Sequence, residues 1–324
     1  MIVPKYWAEG RIQQKIAGKQ VTVRRFGWSD VSQADAQANA NVRASEAIAR
    51  IARGEKSVAR RDLKRAYNGS EGVPIREEIV ERHGETVITR NGYGALCLNS
   101  PNVLFADIDF NWGPGGRLVW SVIALLLVAA IGIGWWLHPG LGFCAGFFAL
   151  ASAYFIAWWL SDLGIRLTGG PERFARSRIS RFLTRHPDWQ LRVYRTPAGL
   201  RLLAMHRTFN PREDAVAEFF KAMGTDPIYA QMCIRQNCFR ARVSPKPWRI
   251  GIPNHMKPVG VWPVDPDRLP ERHHWIDAYE RKAKSFASCR FLKSVGCTVV
   301  HPAAADVQRL HDELCQANRD LEIA

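Results

Sequence analysis

The sequence predicts an α+β protein, a cytosolic mixed or antiparallel sheet with helices, interrupted by an inserted two-helix transmembrane hairpin. Three observations predict it. Two charge-free runs, residues 118–137 and 140–160, are each long enough to cross a hydrocarbon core of about 30 Å as a helix. Short apolar runs bounded by Gly, Asn and Pro lie on both sides of them and read as strands. Amphipathic helical spacing recurs between those strands. The expected organisation is residues 1–117 and 162–324 as two parts of one cytosolic domain, with 118–161 as the hairpin.

The composition supports a packed core. Of 324 residues, 47% are hydrophobic and 23% charged, which excludes wholesale disorder and allows roughly two domains. Lys and Arg number 45 against 30 Asp and Glu, a net charge of +15 that excludes an acidic or neutral surface. Partners carrying phosphate charge suit such a chain.

Taken in order, Gln20 to Arg24 alternates like a strand and leads to a helix that Ser32 caps and Gly54 ends. Residues 54–76 are basic and punctuated by Gly, and read as a loop. A short helix is expected over Ile75–His83. Strands are expected at Thr86–Thr89, Ala95–Leu98 and Val103–Phe110, the first two joined by a turn containing Asn91-Gly92. Residues 111–116 form a linker to the hairpin.

Trp120, Trp135, Trp136, Trp158 and Trp159 sit near the ends of the two apolar runs, where amphipathic rings favour the headgroup level. Arg166, Arg173, Arg176, Arg178 and Arg181 follow the second run, and positive charge stays inside. A multipass protein of the cytoplasmic (inner) membrane is expected, with both termini cytoplasmic and the His138-Pro139 turn outward. The N-terminal residues lack an apolar region of their own, so no cleaved signal peptide is read.

Beyond the hairpin, Arg173–Arg185 reads as a basic helix, and Leu191–Tyr194 and Leu200–Met205 as strands about the turn Thr196 to Gly199. Helices follow at Arg212–Ala222 and Pro227–Gln236. A strand at Phe239–Val243 places Arg240 and Arg242 on one face. A Pro-rich stretch, 244–270, precedes helices at Trp275–Ser288 and Ala304–Arg319.

Candidate chemistry begins at Val103–Phe110, an apolar strand ending in Asp107 and Asp109. Side chains two apart on a strand point the same way, so both carboxylates can converge on one hard cation, Mg²⁺ or Mn²⁺. Far downstream, Thr196-Pro197-Ala198-Gly199-Leu200-Arg201 is a turn with a polar residue, a glycine and a cation opening an apolar strand. Together, Asp-x-Asp and Thr-x-x-Gly-x-Arg resemble the archaeo-eukaryotic primase-polymerase superfamily, whose second motif carries His where this chain has Arg201. The resemblance implies a palm-like domain that binds two divalent ions and a nucleoside triphosphate. Asp107 and Asp109 would hold metal, and Arg201, with Thr196 and Gly199, would meet phosphate. The family's third acidic residue has two candidates, Asp265 and Asp277. The strand also looks like the first metal motif of class III nucleotide cyclases and of diguanylate cyclases, but the Gly-Gly-Asp/Glu-Glu-Phe turn of the latter is missing.

Arg240, Arg242, Lys246 and Arg249 form the densest basic cluster, with Trp248 among them to stack on a base. Nucleoside triphosphate, nucleic acid and anionic lipid all supply phosphate to it. Seven scattered cysteines are expected as free thiols. Cys233, Cys238, Cys289 and Cys297 are the candidate zinc ligands, although neither pair has Cys-x-x-Cys spacing. His273-His274 and His311-Asp312 read as surface residues. No serine-hydrolase elbow, P-loop or zincin motif is present. Two functions remain: a divalent-metal-dependent nucleotide-binding or nucleotidyl-transfer protein, and a non-catalytic membrane-tethered module that binds nucleic acid, lipid or protein through its basic face.

Overall fold

Residues 6–29 form a longer hairpin than the expected strand at 20–24. In the computed structural model, which describes residues 3–62, 73–110, 113–167, 169–258 and 262–324, β1 (Tyr6–Ile16) pairs antiparallel with β2 (Lys19–Ser29) along its whole length. Ala17 and Gly18, both at positive φ, make the tight turn. Helix α1 (Gln33–Ala52) follows, its N-terminus capped by Ser32, whose hydroxyl accepts from the Asp35 backbone N–H. Its buried face is mostly alanine, Ala36, Ala40, Ala44 and Ala47. That face rests on Gly10 and Gly27, where a methyl group would approach the Ala40 backbone to 2.4 Å and 2.1 Å. Helix and hairpin touch backbone to backbone, which only glycine allows.

The remaining elements are β3 (Glu78–His83), β4 (Thr86–Arg90), β5 (Leu96–Ser100), β6 (Phe105–Asp109), α2 (Gly116–Trp136), α3 (Pro139–Leu167) and α4 (Pro171–Arg185). They continue with β7 (Gln190–Arg195), β8 (Gly199–Ala204), α5 (Asp214–Met223), α6 (Pro227–Gln236), β9 (Phe239–Arg242) and α7 (Leu269–Ala283). Last come β10 (Phe286–Ala287), β11 (Arg290–Gly296), α8 (Pro302–Cys315) and β12 (Glu322–Ile323). The protein is therefore α+β, with eight α-helices among the described residues. Of the expected connecting segments, residues 63–72 of the basic loop, 111–112 of the linker and 259–261 of the Pro-rich stretch lie outside the described residues.

Three expectations are corrected. The segment Ile75–His83 is not a helix, because Glu78–His83 pairs with the wholly buried β4 and turns into it through Gly84 at positive φ. An edge with a partner outweighs the helix propensity of Glu and Arg. The helix placed at 275–288 starts earlier, with Pro270 in its first turn, and ends at Ala283. Residues 286–296 then form β10 and β11, and α8 stops at Cys315, before the expected Arg319.

The chain divides into two compact units, Met1–Asp107 with His186–Pro197 and Arg201–Ala324, and Ile108–Arg185 with Ala198–Leu200. In the first, an antiparallel sheet runs β3-β4-β5-β9, and β5 meets β9 in the register Cys97↔Arg242 to Ser100↔Phe239. This sheet joins segments from before and after the apolar runs. A second sheet has the order β11-β7-β8-β6, and β10 pairs in parallel with β12.

In the second unit, α2 and α3 pack on each other through Val122, Ala153 and Ala157, and close to backbone contact at Gly134 and Gly142. Their 21 and 29 residues rise about 31 Å and about 43 Å. Both are long and apolar enough to cross a membrane, and their most apolar stretches are only 11% and 17% buried. Large side chains such as Trp120, Trp135, Phe143 and Phe155 point outward. Within the same unit, a methyl group on Gly199 would come 1.9 Å from the Ile108 carbonyl oxygen. The glycine of the Thr-x-x-Gly-x-Arg pattern is thus required by strand packing.

Candidate functional site

Strand alternation builds the site. On β9, Phe239 and Ala241 point one way and Arg240 and Arg242 the other, as the spacing predicts. Both arginines line a cavity of about 380 Å³ together with Asp107 of β6, Lys246, Tyr93, Tyr229 and Glu77. Asp107 and three of the cations named from the sequence, Arg240, Arg242 and Lys246, more than a hundred residues away in the chain, therefore share one pocket.

The two acids in it are held differently. Arg240 donates from Nη2 to both Glu77 carboxylate oxygens at 2.9 Å and 2.7 Å, and from Nη1 to Asn99 Oδ1 at 3.2 Å. Thr89 Oγ1 adds a bond to Glu77 at 2.7 Å. Arg240 is thus committed to a structural pair, and its charge is already cancelled at the cavity wall. Asp107 instead pairs with Arg201, whose Nε and Nη2 donate to its two oxygens at 2.8 Å and 3.1 Å. The guanidinium side chain is 3% exposed and the carboxylate 43%. Burial opposes charge on Asp107, but the Arg201 guanidinium outweighs it and holds the carboxyl below its usual range. Arg201 therefore meets Asp107 rather than facing the cavity as a phosphate contact.

Arg242 is the less satisfied cation. Its Nε is buried without a hydrogen-bond partner among the described residues, while its backbone carbonyl accepts from Arg201 Nη1 at 2.7 Å. Lys246 Nζ stands 5.3 Å from the centre of the Trp248 ring, which in turn meets Tyr93 edge-on at 5.3 Å. Trp248 is half-exposed. Arg249 lies in the 3₁₀ turn Pro247–Ile250 and, like Trp248, does not line the cavity.

Thr196 is buried in the β7–β8 turn, and neither it nor Gly199 is a lining residue. Asp109 ends β6 exposed, within the second unit. Of the two candidates for a third acid, Asp265 caps a 3₁₀ turn and Asp277 is exposed on α7. The second acid of the cavity is Glu77, which no sequence motif marked. Tyr229, also unforeseen, donates to the Phe105 carbonyl at 3.0 Å and accepts from the Arg240 backbone N–H at 3.4 Å, fixing β9 beside β6.

No known protein family, curated protein or solved structure matches this chain. Its chemistry is read from these side chains. The lining cations Arg240, Arg242 and Lys246 outnumber the lining acids Glu77 and Asp107. A wall of that sign, with an unsatisfied guanidinium N–H and an adjoining aromatic pair, suits an anion that carries an aromatic ring.

The cysteines are all free thiols. Cys233, Cys238, Cys289 and Cys297, whose loose spacing argued against a shared zinc, do not come together as one group among the described residues. Cys233 and Cys238 are buried together through a backbone bond, and Cys297 Sγ donates to the Asp188 carbonyl at 2.9 Å. Cys289 instead lies with His311 and Cys315, the only group of three such side chains among the described residues whose ligating atoms converge closely enough for a metal ion. His311 is also corrected, since it is wholly buried rather than on the surface. Its Nδ1 meets Asp312 at 3.1 Å, and Asp312 is tied in turn by Arg192 at 2.8 Å and Gln308 at 2.6 Å. That carboxylate network explains how an imidazole comes to lie in the core.

Proposed function

We propose that the chain is a membrane-anchored protein whose larger unit binds a nucleoside triphosphate together with Mg²⁺ or Mn²⁺. The observation that carries this reading is the meeting of Asp107, Arg242 and Lys246 in one cavity. Arg242 and Lys246 take phosphate oxygens, and Trp248 and Tyr93 offer a surface for the base. The open side of the Asp107 carboxylate accepts a divalent ion that bridges to the phosphates. The resemblance to primase-polymerases extends this to nucleotidyl transfer. Helices α2 and α3 anchor the protein in the cytoplasmic membrane, and the arginines after them keep both termini in the cytoplasm.

One observation favours the non-catalytic alternative, in which the basic wall holds nucleic acid, anionic lipid or a protein partner without reaction. Both Asp107 oxygens already accept from Arg201, which lowers the carboxylate's reach for metal.

Equilibrium binding of a labelled nucleoside triphosphate to the detergent-solubilised chain, with and without Mn²⁺, separates these readings. Wild type binds, Lys246→Ala binds about tenfold more weakly, and Asp107→Asn loses the Mn²⁺ dependence. Equal binding by all three proteins removes the proposal. Binding that ignores Mn²⁺ in wild type leaves only the non-catalytic form.

A further inference from the structure

The turn between β10 and β11 is clamped to the end of α8. The Ser288 backbone N–H donates to the Cys315 carbonyl at 3.0 Å, and Phe291 N–H to the Ala317 carbonyl at 2.9 Å. This clamp brings Cys289 to His311 and Cys315, which lie one helical turn apart on the same face of α8. All three side chains are completely buried. Cys315 Sγ lies 3.5 Å and Cys289 Sγ 3.9 Å from His311 Nε2, and the three donor atoms are all within 4.8 Å of one another.

We propose that Cys289, His311 and Cys315 hold a thiophilic d¹⁰ metal ion, zinc, through two sulfurs and Nε2. Metal–sulfur and metal–nitrogen bonds of about 2.3 Å and about 2.05 Å at a tetrahedral angle set sulfur and nitrogen about 3.6 Å apart. The two observed separations bracket that edge. The imidazole is oriented for it: Asp312 accepts the proton of Nδ1, which leaves the Nε2 lone pair facing the two sulfurs. A carboxylate behind a ligating histidine fixes the tautomer and raises the ring's donor strength. The rings of Tyr194 and Phe105, 4.8 Å and 5.3 Å away, keep the imidazole in that plane.

One cation stands close, Arg201, whose Nη1 is 3.4 Å from Nε2. Two thiolates cancel the charge of a dication, so the guanidinium faces a neutral centre, and its own charge is met by Asp107. Three protein donors leave the fourth position of the ion to a small exogenous ligand. Ordinary core packing accounts for the burial of the two thiols and the Asp312 carboxylate for that of the imidazole, but neither requires the three donor atoms to converge within 4.8 Å of one another.

The test uses the full-length, detergent-solubilised chain purified under reducing, anaerobic conditions. Zinc is expected at about one ion per chain in elemental analysis. After chelation, Co²⁺ alone should give sulfur-to-metal charge-transfer bands and the intense visible bands of a tetrahedral site, and Zn²⁺ should bleach them. Cys289→Ser and Cys315→Ser should abolish the charge-transfer bands. Cys233→Ser with Cys238→Ser should leave them intact. Asp312→Asn should weaken Co²⁺ affinity at least about tenfold. The wild-type spectrum decides even if a variant fails to fold. Wild type without these bands, copper in place of zinc, or a Cys289–Cys315 disulfide in the reduced preparation would each overturn the proposal.

Discussion

Glu77 with Arg240 and Asp107 with Arg201 are one chemical pair in two settings. In the first, both side chains are nearly sealed, 5% and 7% exposed, and Asn99 and Thr89 satisfy what the pair leaves over. In the second, the guanidinium is sealed and the carboxylate opens to the cavity. A closed pair fixes strands and has nothing to offer a ligand. A half-open pair holds a carboxylate charged, in a fixed orientation, where a ligand can reach it. The two arginines looked alike in the sequence as phosphate contacts, and the structure gives both to acids.

The contrast breaks most sharply with Glu77→Gln. It leaves Arg240 buried without a counter-charge, and the expected loss is about 3–5 kcal/mol in denaturant unfolding of the solubilised protein. Asp107→Asn should cost about 1–3 kcal/mol, because cavity solvent already reaches the half-open carboxylate and screens its pair with Arg201. Equal losses would make the two pairs equivalent.

The pH dependence is a finer test. The folded pKa of Asp107 lies below its unfolded value of about 3.9, so its stabilisation is complete above that pH and is lost as pH falls through the folded value. The gap in melting temperature between wild type and Asp107→Asn should be flat above about pH 5 and narrow on acidification below about pH 4. A gap that widens in acid would contradict the assignment.

Smallest in stability is Trp248→Ala, expected to shift unfolding by about 0.5 kcal/mol or less because the ring is half-exposed. Its effect should appear in nucleotide affinity instead, as a loss of about tenfold from base stacking.

The readable parts of this chain are those with a local cause. Runs free of charge mark α2 and α3, although α3 continues to Leu167, beyond the expected 160, because Asp162 and Arg166 pair one turn apart and extend it. Asn91-Gly92 marks the β4–β5 turn, and the period of two on β9 turns Arg240 and Arg242 to one side. What could not be read depends on partners remote in the chain. Tyr6–Ile16 carries polar residues because one side of its hairpin faces water, so its alternation is weak. Glu77 lies in a segment of ordinary charge, and only the arrival of Arg240 gives it a role. The same holds for His311, whose burial depends on Arg192 and Gln308 holding Asp312. Sequence spacing likewise could not show that Cys289 is clamped to the end of α8, beside His311 and Cys315.

The close approach of α2 and α3 sets unequal mutational tolerance around the two helices. A methyl group on Gly142 would meet the Gly134 Cα at 2.5 Å and the Ala130 carbonyl at 2.9 Å, so even alanine there must wedge the helices apart. The outward positions occupied by Trp135, Phe143 and Phe147 meet no such wall. Random replacement by other apolar residues should therefore pass almost unnoticed along the outer surface and be rejected at this narrow waist.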